Sequence, residues 1–315
     1  MIVGHHHISM YTKHVGKNDY FYREILGLRR VKVSVNQDDP SMYHVFYGDL
    51  TGSAGTELTF FEIPAIGRTY RGTNAITRIG LLVPSYESLT YWKQRFEQYE
   101  INHGEITTYA GHDALLFEDQ EGLRYVLINN EGKSIPKQWE VWPDSVVEEE
   151  HRILGMGSIE MTVRSLEKLA NVLESLFGFT KVTKTENEAV YQAVAGEVFG
   201  EIVIKQQSGS RERPGKGSVH HLAITVANDD LHAWDEKLKA AGFRTSGVID
   251  RYYFQSLYFR EKNGIMFELV TDGPGFTVDT DIEELGTRLD LPPFLEDRRE
   301  EIEANLLPIE EWKNE

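Results

Sequence analysis

The chain has 315 residues, room for about two domains of roughly 150 residues each, and 50 acidic against 33 basic residues give it a formal charge of −17. Without a Lys/Arg cluster to track phosphates, a nucleic-acid partner is not expected, and without a run of ~18 apolar residues neither is a membrane span. Cysteine is absent, which excludes disulfides, thiol nucleophiles and thiolate ligands together, so any metal must be held by His, Asp or Glu. The start, MIVGHHHISM, lacks the basic flank and apolar stretch of a secretory leader, and a cytoplasmic protein is expected.

Taken in chain order, the sequence repeats one pattern four times: a short apolar strand, a helical segment, then strands ending in a Gly-led apolar run. The first unit, about 2–64, opens with HHISMYT, continues through NDYFYREILGL and closes with GTELTFFEI. The second, 74–130, runs from ITRIGLLV through YESLTYWKQRFEQYEI to GLRYVLINN. The third, 155–207, reads GSIEMTV, SLEKLANVLESLFGF and GEIVIKQ; the fourth, 216–272, reads HHLAITV, DDLHAWDEKLKAAGF and GIMFELVTD. Gly27, Gly178 and Gly242 stand where a helix end needs a left-handed residue. Pairing consecutive units predicts domains over 1–135 and 150–275, joined by EGKSIPKQWEVWPDSVVEEEH. A tail over 276–315 follows, with a short helix, a break at Pro292–Pro293 and a second helix. Its apolar Leu291, Phe294, Leu306, Leu307 and Ile309 suit covering a domain or a neighbouring subunit in a homo-oligomer.

Strand alternation puts Leu222, Ile224 and Val226 on one face and His221, Ala223 and Thr225 on the other. In the first unit Ile8, Met10 and Thr12 stand opposite His7, Ser9 and Tyr11, so His7 and His221 share a register. The histidine run at His5–His7 is shorter than an affinity tag and continues into a strand. Glu268, inside the apolar closing strand of unit four, needs a cation or strong hydrogen bonds if buried. Equivalent closing-strand positions hold Thr59, Val126 and Ile204, and equivalent opening-strand positions hold Arg78 and Ser158. Two histidines and one carboxylate therefore converge from units one and four, the set associated with non-haem Fe(II). His14, His44, His103, His112, His151 and His232 lack that register and are expected to be bystanders.

On these residues the chain resembles the vicinal oxygen chelate superfamily, and within it the ring-cleaving dioxygenases that act on para-hydroquinones. The resemblance covers about 1–275 and rests on the paired HH at both sites, Glu268, and DRYYFQSLYF. Ordinary two-domain catechol dioxygenases place their first His where this chain has Ser158; the hydroquinone enzymes use a first-unit His with a fourth-unit His and Glu.

The resemblance implies an α+β fold: four βαβββ modules paired into two cupped-sheet domains, with the C-terminal helical tail. It also implies Fe(II), or Mn(II) or another divalent metal, on His7, His221 and Glu268, with O2 as co-substrate and a small aromatic as substrate. His6, His220, Arg251 and Tyr258 would contact the ligands or the substrate. Because His220 and His221 are adjacent, and Arg251 and Tyr258 lie seven apart, a bulge, loop or strand start must turn one member of each pair. Two other functions share the fold. A glyoxalase-type isomerase would need a fourth ligand where Thr59 stands, unless Glu57 takes that role. A non-catalytic protein would hold an aromatic or antibiotic in a metal-free cup.

Overall fold

The computed structural model describes residues 2–309; the last part of the tail expected over 276–315 lies outside them. Each of the four units is built as strand, helix and three strands. Unit one comprises β1 (Ile2–Thr12), α1 (Val15–Asp19) running on into a π-helical turn to Ile25, β2 (Arg29–Asn36), β3 (Asp39–Gly48) and β4 (Glu57–Glu62). Unit two holds β5 (Ala75–Val83), α2 (Tyr86–Gln98), β6 (His103–Tyr109), β7 (His112–Glu118) and β8 (Arg124–Asn129). Unit three holds β9 (Gly155–Val163), α3 (Leu166–Asn171) with a π-turn to Phe177, β10 (Thr180–Lys184), β11 (Glu188–Gln192) and β12 (Glu201–Gln206). Unit four holds β13 (Ser218–Val226), α4 (Leu231–Ala240), β14 (Thr245–Asp250), β15 (Gln255–Arg260) and β16 (Met266–Thr271). Gly27, Gly178 and Gly242 adopt φ of 71°, 77° and 83°, the left-handed conformation expected of them.

The strands form two eight-stranded sheets, ordered β14-β15-β16-β13-β1-β4-β3-β2 and β10-β11-β12-β9-β5-β8-β7-β6. Within each unit the opening strand pairs parallel to the closing one, leaving its other edge free. That edge is filled by the opening strand of another unit, running antiparallel: β1 by β13, and β5 by β9. Each sheet thus joins units distant in the chain, one with four and two with three, rather than the consecutive units grouped over 1–135 and 150–275. The linkers after units one and three run side by side, bridging Arg68 to Lys216, Tyr70 to Arg213 and Thr73 to Arg211, which carries the chain from one sheet to the other.

Helices pack on the face carrying Ile8, Met10, Leu222 and Ile224, where Phe21, Tyr22, Leu231 and Leu238 join them in the main core. The opposite, concave faces differ. In the sheet of units two and three, the hollow is closed by Leu82, Tyr109, Val126, Trp139, Val190 and Val203. Ladder register makes Val203, not Ile204, the counterpart of Glu268, because Glu160 pairs Val203 as Ala223 pairs Glu268.

The tail covers the edge strand β2. Asp290 N donates to Val33 O at 2.9 Å, and Leu291, Leu295 and Ile302 pack on Val35. Beneath it the buried Lys32 ammonium is 2.7 Å from Asp279, 2.8 Å from Asp290 and 3.0 Å from the Thr280 hydroxyl. Pro292 precedes a 3-10 turn (Pro293–Arg298) and α5 (Arg299–Asn305). The tail therefore shields the row of backbone groups an open sheet edge would expose. Among the described residues no helix is long and apolar enough to cross a membrane.

Candidate metal centre

The central strand pair β1–β13 carries a bulge at each histidine pair. On β1 the register steps from His5↔Ile224 to Ile8↔Leu222, so one extra residue sits at His6–His7; on β13 it steps from Ser9↔His221 to Met10↔Val219, leaving His220 unpaired. Equivalent shifts occur between β5 and β9. The irregularity thus belongs to the shared architecture, and units one and four have placed histidines on it. It lets adjacent residues point to the same side, as the tandem pairs require. The bulged His6 carbonyl is not left unpaired: Gly55 N donates to it at 2.7 Å.

From these strands and β16, three ligand-type atoms converge. His7 Nε2 is 3.0 Å and His221 Nε2 2.8 Å from Glu268 Oε2, and the two Nε2 atoms are 3.2 Å apart. All three side chains are buried. Despite these contacts, neither Glu268 oxygen has a partner in hydrogen-bonding geometry. Ligand atoms in neighbouring positions ~2.1 Å from one ion would be about 3 Å apart, so the set fits a divalent cation. Burial alone would raise the Glu268 pKa, but the His7 and His221 imidazoles hold it well below the usual carboxylate range. The carboxylate is thus anionic.

The second nitrogen of each converging imidazole is occupied. His7 Nδ1 lies 3.1 Å from His6 Nδ1, and His221 Nδ1 2.9 Å from His220 Nδ1. Burial, then the neighbouring imidazole, lowers His6 and His220 to about 3, so both are neutral and their Nδ1 can accept a hydrogen bond from Nδ1–H of His7 and His221. That arrangement leaves Nε2 of His7 and His221 free to bind a metal. A second close group, His6, His7 and Glu57, shares His7; burial and then Asp49 push the Glu57 carboxyl well above its ordinary range. Glu62 is occupied elsewhere, accepting from Val15 N at 2.8 Å.

The three atoms open into a cavity of about 380 Å³ whose lining includes His220, Arg251 and Tyr258. Arg251 lies in the loop between β14 and β15, not on a strand, which removes the parity conflict with Tyr258. Its guanidinium carbon is 5.7 Å from the Tyr258 ring centre, and Tyr258 is the register partner of Glu268. Burial, then the Glu268 charge, raises the Tyr258 hydroxyl pKa, keeping it protonated. His6 does not line the cavity; it packs behind His7 and against Phe254.

His44, expected to be a bystander, lines the cavity between Phe46 and Phe61, with ring centres 4.0 and 4.1 Å away. The alternation of Met42, His44 and Phe46 along β3 was the available signal, because all three line the cavity. Thr59, in the place Glu268 takes in unit four, hydrogen-bonds Ser9 at 2.7 Å and His44 Nε2 at 3.1 Å.

The comparisons with known proteins agree with this architecture. Residues 155–269 match the Glyoxalase/Bleomycin resistance protein/Dioxygenase superfamily. MhqA of Bacillus subtilis (strain 168), a candidate ring-cleaving dioxygenase, is 47% identical over 98% of this chain and 99% of its own length. The chain belongs to this superfamily, among its ring-cleaving dioxygenase relatives. The chlorohydroquinone/hydroquinone 1,2-dioxygenase of Sphingobium indicum is 27% identical over 96% of this chain and 95% of its own. A crystal structure of a candidate dioxygenase from Bacillus subtilis superposes with TM-score 0.91 at 31% identity, covering 99% of both chains. Glyoxalase I from Zea mays, at 12% identity and TM-score 0.63 over 85% of this chain and 92% of its own, shares the fold.

Proposed function

We propose that this protein is a cytoplasmic, Fe(II)-dependent ring-cleaving dioxygenase acting on para-hydroquinone-type aromatics. The observation that carries the reading is the convergence of His7, His221 and Glu268 within 3.2 Å of one another at the wall of an aromatic-lined cavity. The ring-cleaving names of full-length relatives support it. Bound there, Fe(II) supplies the one-electron exchange with dioxygen that a closed-shell aromatic does not undertake unaided.

The chain's own residues do the rest. His6 and His220 hold the ligand rings in the tautomer and orientation that present Nε2. Phe46, Phe61 and Phe254 shape a slot that accepts a planar ring and excludes water. Tyr258, protonated beside Glu268, donates to oxygen at the reacting end of the ring. The Arg251 guanidinium stabilises negative charge that develops as the hydroxyl loses its proton. The half-buried, neutral His220, with Nδ1 engaged by His221, carries its proton on Nε2 and donates to an oxygen at that end of the ring.

Oxygen uptake by protein loaded anaerobically with Fe(II), supplied with hydroquinones and catechols, tests the reading. Uptake with a hydroquinone is expected; none with any of these diols overturns it. His221→Ala should lose both iron and turnover, and full activity in that variant would overturn the ligand assignment.

A further inference from the structure

The cavity has a second polar end. Ser34 on β2 and His44 on β3 are direct cross-strand partners, and both line it. Ser34 Oγ is buried without a hydrogen-bond partner, an unfavourable state unless something pairs it. The His44 ring is locked on one side: Thr59 Oγ1 holds Nε2 at 3.1 Å, and Phe46 and Phe61 flank the ring. Its Nδ1 has no hydrogen-bond partner among the described residues. Burial, then His7 and His221, hold His44 well below its ordinary pKa, so the ring is neutral and Nδ1 can donate or accept as its tautomer dictates.

We infer that Ser34 and His44 form the subsite for the second oxygen of a para-diol. The inference rests on the ring-cleaving reading and adds to it the residues that choose between ring isomers. The metal-ligand end sits on β1, β13 and β16, and the Ser34/His44 end on β2 and β3, with β4 between β1 and β3. Two strand spacings, about 10 Å, separate β1 from β3 along the sheet, a span filled by a benzene ring with oxygens at opposite carbons together with a metal–oxygen bond at one end and a hydrogen bond at the other. The aromatic rings of Phe61 and Phe254 line the intervening cavity. A catechol, with both oxygens at the same end, would leave Ser34 and His44 unpaired, and a site built to pair a hydroxyl discriminates against a ligand that lacks it.

Anaerobic titration calorimetry of the Fe(II)-loaded protein with hydroquinone, phenol and catechol tests this. In Ser34→Ala and, separately, His44→Leu, hydroquinone affinity should fall about 5- to 50-fold, while phenol affinity stays within about 2-fold. The unchanged phenol affinity also shows that each variant is folded. Unchanged hydroquinone affinity in both variants overturns the inference, as does wild-type protein that binds phenol as tightly as hydroquinone. In either case continued oxygen uptake with a diol leaves the dioxygenase reading standing. Absence of uptake with every diol removes the two together.

Discussion

Asp38 and Arg251, 213 residues apart in sequence, form a two-pronged ion pair with N–O distances of 3.0 and 2.8 Å across the mouth of the cavity. Asp38 lies in the turn between β2 and β3 of unit one, and Arg251 in the β14–β15 loop of unit four. Gln37 Nε2 adds a 2.8 Å hydrogen bond to the Arg251 carbonyl. The two outer hairpins of one sheet are thus tied to each other over the site. The Asp38 side chain is 74% exposed, so the pair adds little to global stability. Its effect is to hold one planar guanidinium beside Tyr258.

Asp38→Asn should therefore leave the urea midpoint unchanged while raising KM for a hydroquinone roughly 3- to 10-fold, the loss expected of about one oriented hydrogen bond. Steady-state oxygen uptake alongside denaturation curves separates these two effects.

The proposed metal centre predicts linkage between ion binding and stability. Adding Fe(II) or Mn(II) anaerobically to metal-free wild type at 100 times Kd should stabilise it by about 2.7 kcal/mol. Glu268→Gln removes the one anion among the three ligands and should abolish that response. Thermal melts with and without metal read the difference with no need for turnover.

Lys32 is fully buried, with Asp279 and Asp290 as its counter-charges. Lys32→Met leaves Asp279 without its cation and Asp290 with only the half-exposed Arg288 at 3.0 Å, and should destabilise the protein by roughly 3 kcal/mol. Because both carboxylates lie in the tail, limited proteolysis should cut first after residue 272 in that variant, while wild type resists.

Asp119 supplies a pH test away from the metal centre. Burial raises its pKa to about 6 despite hydrogen bonds from Leu123 N and Glu121 N. The folded protein then holds a proton that the unfolded chain has released between about pH 4 and 6, so stability falls as pH rises through that window. Asp119→Asn should remove that part of the slope, worth about 3 kcal/mol at ~1.4 kcal/mol per pH unit. Urea midpoints of both proteins at pH 4, 5, 6 and 7 measure it.

The repeated units, the helix-ending glycines and the candidate set His7, His221 and Glu268 are legible in the sequence alone. Each follows from a local rule: strand alternation, the left-handed cap, or the cost of burying a carboxylate inside an apolar strand. The histidines of β1 and β13 call for units one and four to meet, but tertiary structure decided that they do so within one sheet, by antiparallel pairing of the free edges of those two strands. It also decided that His220 and His221 face the same side, through a bulge visible only once two strands are in register. His44 shows the same limit. Its alternation with Met42 and Phe46 marks a shared face, but only the curl of the sheet turns that face towards His7, His221 and Glu268, two to four strands away in the sheet. The histidine run at the N-terminus therefore acquires its chemical meaning from residues 214 positions further along, by folding alone.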